Sequence, residues 1–204
     1  MYKDASELMS QCKEQNKRIW QIAVENEMKL TSSSYEDILS RFDDRLEIMF
    51  HSAQKALNAK QATKGGLIDG VAKTQYDYSK KENISGRYIN YVMSLAYSCS
   101  EVNASMGKIC ASPTAGSCGI VPAVLLGLSQ AKNISREKTL EGLITASAVG
   151  AIYTKNATVA GADGGCQAEC GVARSMAAAA AAYMMGADDD KCLDAAGFAM
   201  INIM

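Results

Sequence analysis

The sequence has little of what interrupts helices and little of what fills a large aromatic core. Only two of its 204 residues are proline, and these lie close together as Pro113 and Pro122. Because proline lacks the N–H that a helix interior needs, long proline-free stretches rich in Ala, Met, Lys and Glu favour helix. Three Phe and one Trp leave Ala, Met, Leu and Ile to fill the core. The composition therefore predicts an all-α fold, a multi-helix bundle with its glycine-rich loops forming a site at one end.

A strong charge of either sign is also missing, since 21 basic and 22 acidic residues give a formal net charge of -1. This balance gives no electrostatic case for binding nucleic acid or an anionic membrane. No run reaches the roughly 20 apolar residues that a membrane-spanning helix needs. The N-terminus is polar and lacks the apolar region of a secretory signal. We therefore expect a cytoplasmic protein.

Cysteine, in contrast, is abundant. The seven cysteines are Cys12, Cys99, Cys110, Cys118, Cys166, Cys170 and Cys192. In a reducing compartment they are expected to be buried thiols or metal ligands rather than disulfides. Cys166 and Cys170 lie four residues apart and would share a helix face, with Cys118 as a conceivable third thiolate of an iron–sulfur site. This spacing is weaker than paired Cys-x-x-Cys motifs, so buried thiols remain the alternative.

The first sixty residues read as two amphipathic helices. Apolar residues at three- and four-residue spacings predict one helix over Ser6–Lys29. Ser34, followed three residues later by Asp37, is a plausible N-cap for a second helix. Ser135, with Glu137 and Lys138 in the first turn that follows, is predicted to cap a later helix in the same way. Residues 1–60 are thus predicted to form a helical hairpin packed on a 61–204 core, within one domain of residues 1–204. His51, the only histidine, is assigned a structural role.

Two glycine-rich stretches carry the functional signal. The first, Ser105–Gly119, precedes an apolar helix in which Pro122 suits the first turn. Small hydroxyl and glycine residues at such a position form a cradle of N–H and O–H donors for an anion. Because this stretch lacks the Gly-Lys-Ser/Thr ending of a nucleotide-binding P-loop, it suits a carboxylate ligand better than a triphosphate. A helix start that needs small residues only for packing is the alternative. Two interpretations of the glycine-rich loop at Gly65–Gly70 are equally consistent with the sequence: a tight turn, or a loop that lines a ligand pocket.

The second stretch, Ala160–Val172, leads into an alanine-rich helix. Its glycine turn delivers Cys166 and Glu169 to the start of that helix, where free N–H groups and the helix dipole favour an anion or a thiolate. Because alanine lets neighbours approach on every side, the helix that follows suits the centre of the bundle. The stretch is interpreted as part of a metal or iron–sulfur site.

Together, these motifs resemble the alpha chain of iron–sulfur-dependent L-serine dehydratase. The resemblance rests on Ala111–Leu125 and Gly164–Gly171, with support from Met106-Gly107 and Gly65–Leu67. It implies deamination of L-serine to pyruvate and ammonia by a lyase that uses a 4Fe–4S cluster as Lewis acid and no pyridoxal phosphate. By resemblance, Cys166 is a cluster ligand. The substrate carboxylate would be bound by Ser112, Thr114, Ala115, Gly116, Ser117 and Gly119.

The resemblance also implies what the chain lacks. Two further ligand cysteines are expected beyond Met204, so the sequence is interpreted as a truncated alpha chain that is inactive alone. Ligation is not carried over to Cys110, Cys118 or Cys170. The implied partner is a beta chain in a heterodimer, with a homodimer left open. A non-catalytic helical module that binds through a metal or a thiol is the alternative function.

The base that removes the α-proton of serine is not identified by the sequence. Lysine and carboxylate side chains are suitable by chemistry, and Lys73 and Glu169 are the named candidates. Lys155 and Asp163 qualify only by residue type, because such side chains are usually just solvated.

Overall fold

The computed structural model describes residues 2–203, and within that range the chain is helical, with no strand. The helices are α1 (Ala5–Gln15), α2 (Ile19–Thr31), α3 (Tyr35–Lys55), α4 (Val71–Ser79), α5 (Arg87–Ala104), α6 (Ile120–Lys132), α7 (Arg136–Asn156), α8 (Gly161–Met184) and α9 (Asp189–Ile201). The predicted all-α class is confirmed. The ligands expected beyond Met204 lie outside the described residues.

The N-terminal region differs from its prediction. The single helix expected over Ser6–Lys29 is wrong, because α1 ends at Asn16, which adopts left-handed angles of φ 51° and ψ 47°. Asparagine tolerates this conformation better than most residues. The N–H of Lys17 then donates to the carbonyl of Cys12 at 3.0 Å, closing the end of the helix. Three helices therefore occupy the range predicted for a hairpin.

The predicted helix starts at Ser34 and Ser135 are confirmed. The Ser34 hydroxyl accepts from the N–H of Asp37 at 3.1 Å, and the Asp37 carboxylate accepts from the N–H of Ser34 at 3.3 Å. The Ser135 hydroxyl accepts from the N–H of Lys138 at 3.2 Å. Each bond spans three residues, so the local sequence is enough to specify it.

The N-terminal helices share a core with the C-terminal ones. Leu8 of α1 and Ile19 and Ile22 of α2 pack against Ala148 of α7 and Tyr183 of α8. Leu46 and Met49 of α3 belong to the largest core cluster, together with residues of α6, α7, α8 and α9. Because burial of apolar surface is the main force that stabilises a fold, these helices stabilise the parts of the chain that carry the glycine-rich motifs.

Helix α8 is central, as its alanine run predicts. Its Ala173, Ala177, Ala179 and Ala180 are buried, and the helix packs against α6, α7 and α9. A Cβ built on Gly142 of α7 would lie 2.9 Å from Cγ of Met184, and one on Gly150 would lie 3.0 Å from Sδ of Met176. Since real Cβ atoms do not come this close, glycine at both positions lets α7 approach α8 more closely than other residues would.

A buried carboxylate joins α4 to α5. Glu101 of α5 is fully buried, and its Oε1 accepts from the N–H of Ala72 at 2.6 Å, in the first turn of α4. Its Oε2 has no hydrogen-bond partner among the described residues. The first N–H groups of a helix have no partner within the helix, so this contact satisfies one of them. The sequence gives no sign of it, because Glu101 lies far from Ala72 along the chain.

Replacing Glu101 with alanine should destabilise the fold. Glu101→Ala leaves the buried N–H of Ala72 without an acceptor, and such a loss costs about 1–3 kcal/mol. Glu101→Gln keeps an acceptor oxygen in place and should cost less. Urea unfolding followed by circular dichroism measures the free energy of unfolding of both variants. Glu82→Ala, at an exposed carboxylate, is the control, and equal midpoints for it and Glu101→Ala would contradict the prediction.

Candidate active site

The loop between α5 and α6 is shaped by glycines in tight places. The N–H of Gly107 donates to the carbonyl of Val102 at 2.8 Å, and a Cβ on Gly107 would lie 2.7 Å from Cγ1 of Val102. A Cβ on Gly119, just before α6, would lie 2.6 Å from the carbonyl oxygen of Ala96. Both ends of the loop are therefore pressed against α5, and a larger residue at either position would push the loop away.

Inside the loop, the hydroxyl groups hold one another. The Thr114 and Ser117 hydroxyls lie 3.1 Å apart, and the N–H of Ser117 donates to Oγ1 of Thr114 at 3.3 Å. Ser117 Oγ also donates to the carbonyl of Ser112 at 3.3 Å. Short hydroxyl-to-backbone bonds of this kind are typical of turns. They fix the loop, in which Ala115 and Gly116 are exposed.

An amide missed by the sequence analysis anchors the same loop. Asn103, in the last turn of α5, donates from Nδ2 to the carbonyl of Ala115 at 3.1 Å. A polar amide that directly precedes a glycine-rich loop was the available signal, since such side chains often bond to nearby backbone groups.

The second motif meets the first through Glu169 of α8. Thr114 Oγ1 donates to Oε2 of Glu169 at 2.7 Å, although the two residues are 55 positions apart. A Cβ on Gly116 would lie 2.6 Å from Oε1 of Glu169, so glycine is required for the carboxylate to come this close to the backbone. The loop that the sequence identifies as an anion cradle is in contact with a carboxylate of the protein itself.

The start of α8 is broken by a kink. Gly165 has φ 71° and ψ 176°, angles that interrupt the helix and that only glycine adopts readily. Cys166 follows the kink directly and is exposed, whereas Cys170, one turn later, is half-buried. A Cβ on Gly171 would overlap Cδ1 of Ile203 and lie 3.0 Å from Sδ of Met200, so α9 and the residue segment after it pack closely on this part of α8. The kink therefore presents a single accessible thiol.

Cys118 lies in the core rather than beside this thiol. Cys118 is 2% exposed and packs with Leu95, Cys99 and Ala123, and burial raises its pKa to about 11. Among residues 2–203, no three His, Cys, Asp or Glu side chains are grouped so that they could hold a metal ion. A three-thiolate site of Cys118, Cys166 and Cys170 is therefore not formed.

Of the candidate bases, only Glu169 lies at the loop. Lys73 is ion-paired with Asp77 on α4. Lys155 donates to the carbonyl of Tyr2 at 3.4 Å, and Asp163 accepts from Thr158 Oγ1 at 3.2 Å. His51 is exposed on α3. The residue types alone could not separate these candidates, because their positions depend on the packing of distant helices.

Known proteins match this chain along nearly its whole length. A family model described as the serine dehydratase alpha chain matches residues 14–204. The chain is 41% identical to an L-serine dehydratase alpha chain of Peptoniphilus asaccharolyticus, with 100% of this chain and 70% of that protein covered. It is 36% identical to a probable L-serine dehydratase alpha chain of Bacillus subtilis, covering 68% of that protein. L-serine dehydratase 1 of Escherichia coli is 31% identical, and the match covers 98% of this chain but 45% of that protein. No helix within residues 2–203 is long and apolar enough to span a membrane.

Thiol reactivity should distinguish Cys166 from the other cysteines. At about pH 8 an exposed thiol reacts with Ellman's reagent, whereas buried thiols with raised pKa values stay protonated and protected. Burial raises the pKa of Cys99 to about 12 and those of Cys12, Cys118 and Cys192 to about 11. We expect one fast phase from Cys166, slower reaction of the half-buried Cys110 and Cys170, and the other four only after unfolding. Cys166→Ser should abolish the fast phase and Cys118→Ser should leave it unchanged; a fast phase that survives in Cys166→Ser would contradict the assignment.

Proposed function

Because the chain belongs to the serine dehydratase alpha-chain family, we propose that it carries the catalytic part of an L-serine ammonia-lyase. The reaction removes the α-proton and the β-hydroxyl of L-serine as water and leaves 2-aminoacrylate. This product tautomerises to an imine, which takes up one water and yields pyruvate and ammonium. The chain must therefore hold the substrate carboxylate, accept the α-proton and assist departure of the hydroxyl.

The observation that carries the proposal is the 2.7 Å hydrogen bond between Thr114 and Glu169. It joins the two glycine-rich motifs, and the exposed Cys166 thiol lies one turn from Glu169 on the same helix, which supports a single site. A loop that already receives a carboxylate of the protein is chemically suited to receive that of a substrate. This supports, by the chemistry of the loop, the role that the family resemblance suggests for it.

We assign two roles within the proposed carboxylate cradle. The half-buried Thr114 and the exposed Ala115 and Gly116 form its accessible part, where we propose that the Thr114 hydroxyl and backbone N–H groups donate to the substrate. Ser117 and Gly119 are buried, and Ser112 is buried with its carbonyl bound to Ser117, so these three preserve the shape of the loop. Thr114→Val should therefore weaken substrate binding directly, whereas changes at Gly119 should act by displacing the loop.

Glu169 is the proposed acceptor of the α-proton. When the substrate carboxylate lies on Thr114, two carboxylates at one donor would repel each other, so Glu169 must turn away from Thr114. In serine the α-carbon is bonded directly to the carboxylate carbon. A Glu169 side chain displaced by the substrate carboxylate would thus remain next to the proton that must be removed.

An iron–sulfur cluster is the proposed cofactor, and Cys166 is the ligand proposed from this chain. Its exposed thiol at the Gly165 kink fits that role, with Cys170 one turn behind. Since residues 2–203 contain no group of three suitable ligands, the other ligands are proposed to come from outside this range. When bound, the cluster would supply a Lewis acid for the departing hydroxyl. A beta chain is the proposed partner, as the alpha-chain names of the relatives imply.

Removing the Glu169 carboxylate should slow turnover in the complete enzyme, in which the chain is extended to the length of its relatives and combined with a beta chain. Glu169→Gln keeps the size of the side chain and its acceptor oxygen for Thr114, but it cannot take the α-proton. General-base catalysis contributes about 10²–10⁴-fold, so kcat should fall by at least about 10²-fold. Pyruvate formation from L-serine measures the effect, and Glu82→Gln is the matched control on an exposed carboxylate. An unchanged kcat for Glu169→Gln would exclude the assigned role.

Reconstitution separates the complete enzyme from the chain alone. Because residues 2–203 offer too few ligands, anaerobic treatment of the chain with iron and sulfide should give no stoichiometric 4Fe–4S spectrum and no pyruvate. The complete enzyme should bind the cluster and convert L-serine, but not D-serine, to pyruvate. A stoichiometric cluster in the chain alone would contradict the ligand assignment. Absence of pyruvate from the complete enzyme would instead favour the non-catalytic binding module.

A further inference from the structure

A large cavity lies between the N-terminal helices α2 and α3 and helix α7. Its volume is about 720 Å³, and its walls come mainly from α2, α3, α7 and the segment of residues 110–113, with Met176 of α8. Cavities of roughly 300–1,000 Å³ are the ones that hold ligands of drug size. Serine is far smaller than such a ligand. The proposed function leaves this cavity without a role.

Two buried polar atoms in the cavity wall lack partners. Asn26 of α2 and Ser112 of the loop both line the cavity. The Nδ2 of Asn26 and the Oγ of Ser112 are buried and make no hydrogen bond with any described residue. Ser112 as a whole is only 4% exposed. Buried polar atoms in native proteins are nearly always paired, so an unpaired donor and an unpaired hydroxyl in one cavity point to a guest with hydrogen-bonding oxygens.

The charges around the cavity favour an anion. Arg41, Arg45 and Lys155 line it against a single carboxylate, that of Glu27, which leaves an excess of two positive charges. Neither arginine makes an ion pair with a carboxylate in the part of the chain that the structure describes. Arg45 donates only to the carbonyl of Arg41, at 2.9 Å. Free guanidinium groups are well suited to carboxylate and phosphate oxygens.

Most of the remaining wall is apolar, although Tyr2, Ser147 and Thr154 also line it. It is formed mainly by Leu30, Ile38, Phe42, Met49, Leu143 and Met176. An apolar wall with a few polar groups is the usual composition of a site for a small organic molecule, because the apolar part supplies affinity and the polar groups fix orientation. A simple inorganic anion would leave this surface uncovered. The wall therefore requires a guest that carries an apolar group beside its charge.

We propose that this cavity is a second binding site, which takes a small organic acid with an apolar body and a carboxylate or phosphate head. The head lies at Arg41 and Arg45, the body lies against Phe42 and Leu143, and an oxygen of the ligand accepts from Asn26 Nδ2. The site is distinct from the one proposed for L-serine, since Thr114, Cys166 and Glu169 do not line it. Ser112 belongs to both, because its carbonyl accepts from Ser117 in the loop. A ligand in the cavity would thus contact the loop at Ser112 and not at Thr114.

Titration calorimetry of the chain with four probes tests each part of the proposal. Phenyllactate and phenyl phosphate carry an acid head and an apolar body and distinguish the two kinds of head. Phenylpropanol lacks the acid, and lactate lacks the apolar body. We expect phenyllactate, phenyl phosphate or both to bind. Phenylpropanol should bind at least about tenfold more weakly because it loses the charge-assisted contact, and lactate should do so because it loses the buried ring. Binding is measured without a cluster, so failure of this proposal is separate from failure of the proposed lyase activity.

Variants locate the binding. We expect the affinity for the tighter-binding acid probe to fall about tenfold in the double variant Arg41→Gln/Arg45→Gln. The single variant Asn26→Leu should lower it by a similar factor. Arg87→Gln removes an exposed guanidinium elsewhere and should leave affinity unchanged. Failure of both acid probes to bind would overturn the proposal, as would equal binding of phenylpropanol or equal affinity of all variants. Displacement of the probe by millimolar L-serine would also overturn it, because the cavity would then belong to the substrate site.

Discussion

The close packing of α8 against its neighbours is the constraint on which the rest of the structure depends. A Cβ on Gly142 or Gly150 of α7 would crowd Met184 or Met176, and one on Gly171 of α8 would overlap Ile203, which follows α9. Because interiors are packed almost without voids, a helix held this tightly on several sides has little freedom to slide or rotate. Its N-terminal turns, which carry Cys166 and Glu169, are positioned by contacts made further along the same helix.

The consequence is an electrostatic arrangement that the loop alone would not have. A cradle of hydroxyl and N–H donors attracts any nearby anion, and in this structure Glu169 is the anion in contact with it. A substrate carboxylate and Glu169 compete for the same donor, so substrate binding and displacement of Glu169 are one event in the proposed mechanism. In that mechanism the competition would reduce the affinity for substrate, but it would bring a carboxylate base beside the α-carbon when substrate is bound.

Burial divides the cysteines into two chemical classes. Cys99 and Cys118 are enclosed by apolar side chains that disfavour the thiolate, so they behave as small hydrophobic residues. Cys166 is exposed because the chain bends at Gly165. The kink therefore exposes the Cys166 thiol, whereas Cys110 and Cys170 are half-buried.

The sequence by itself determined the features that depend on near neighbours in the chain. The scarcity of proline predicted the helical class, Ser34 and Ser135 predicted helix starts through bonds that span three residues, and the two glycine-rich motifs were sufficient for the family. Asn16 shows the limit of periodicity, since the apolar pattern continues across a residue whose backbone ends the helix. Only the tertiary structure decided that Glu169 meets Thr114, that Cys118 is enclosed in the core, and that Asn26 and Ser112 line one cavity. These are contacts between distant segments, and they are fixed by how whole helices pack rather than by any local preference of the residues that make them.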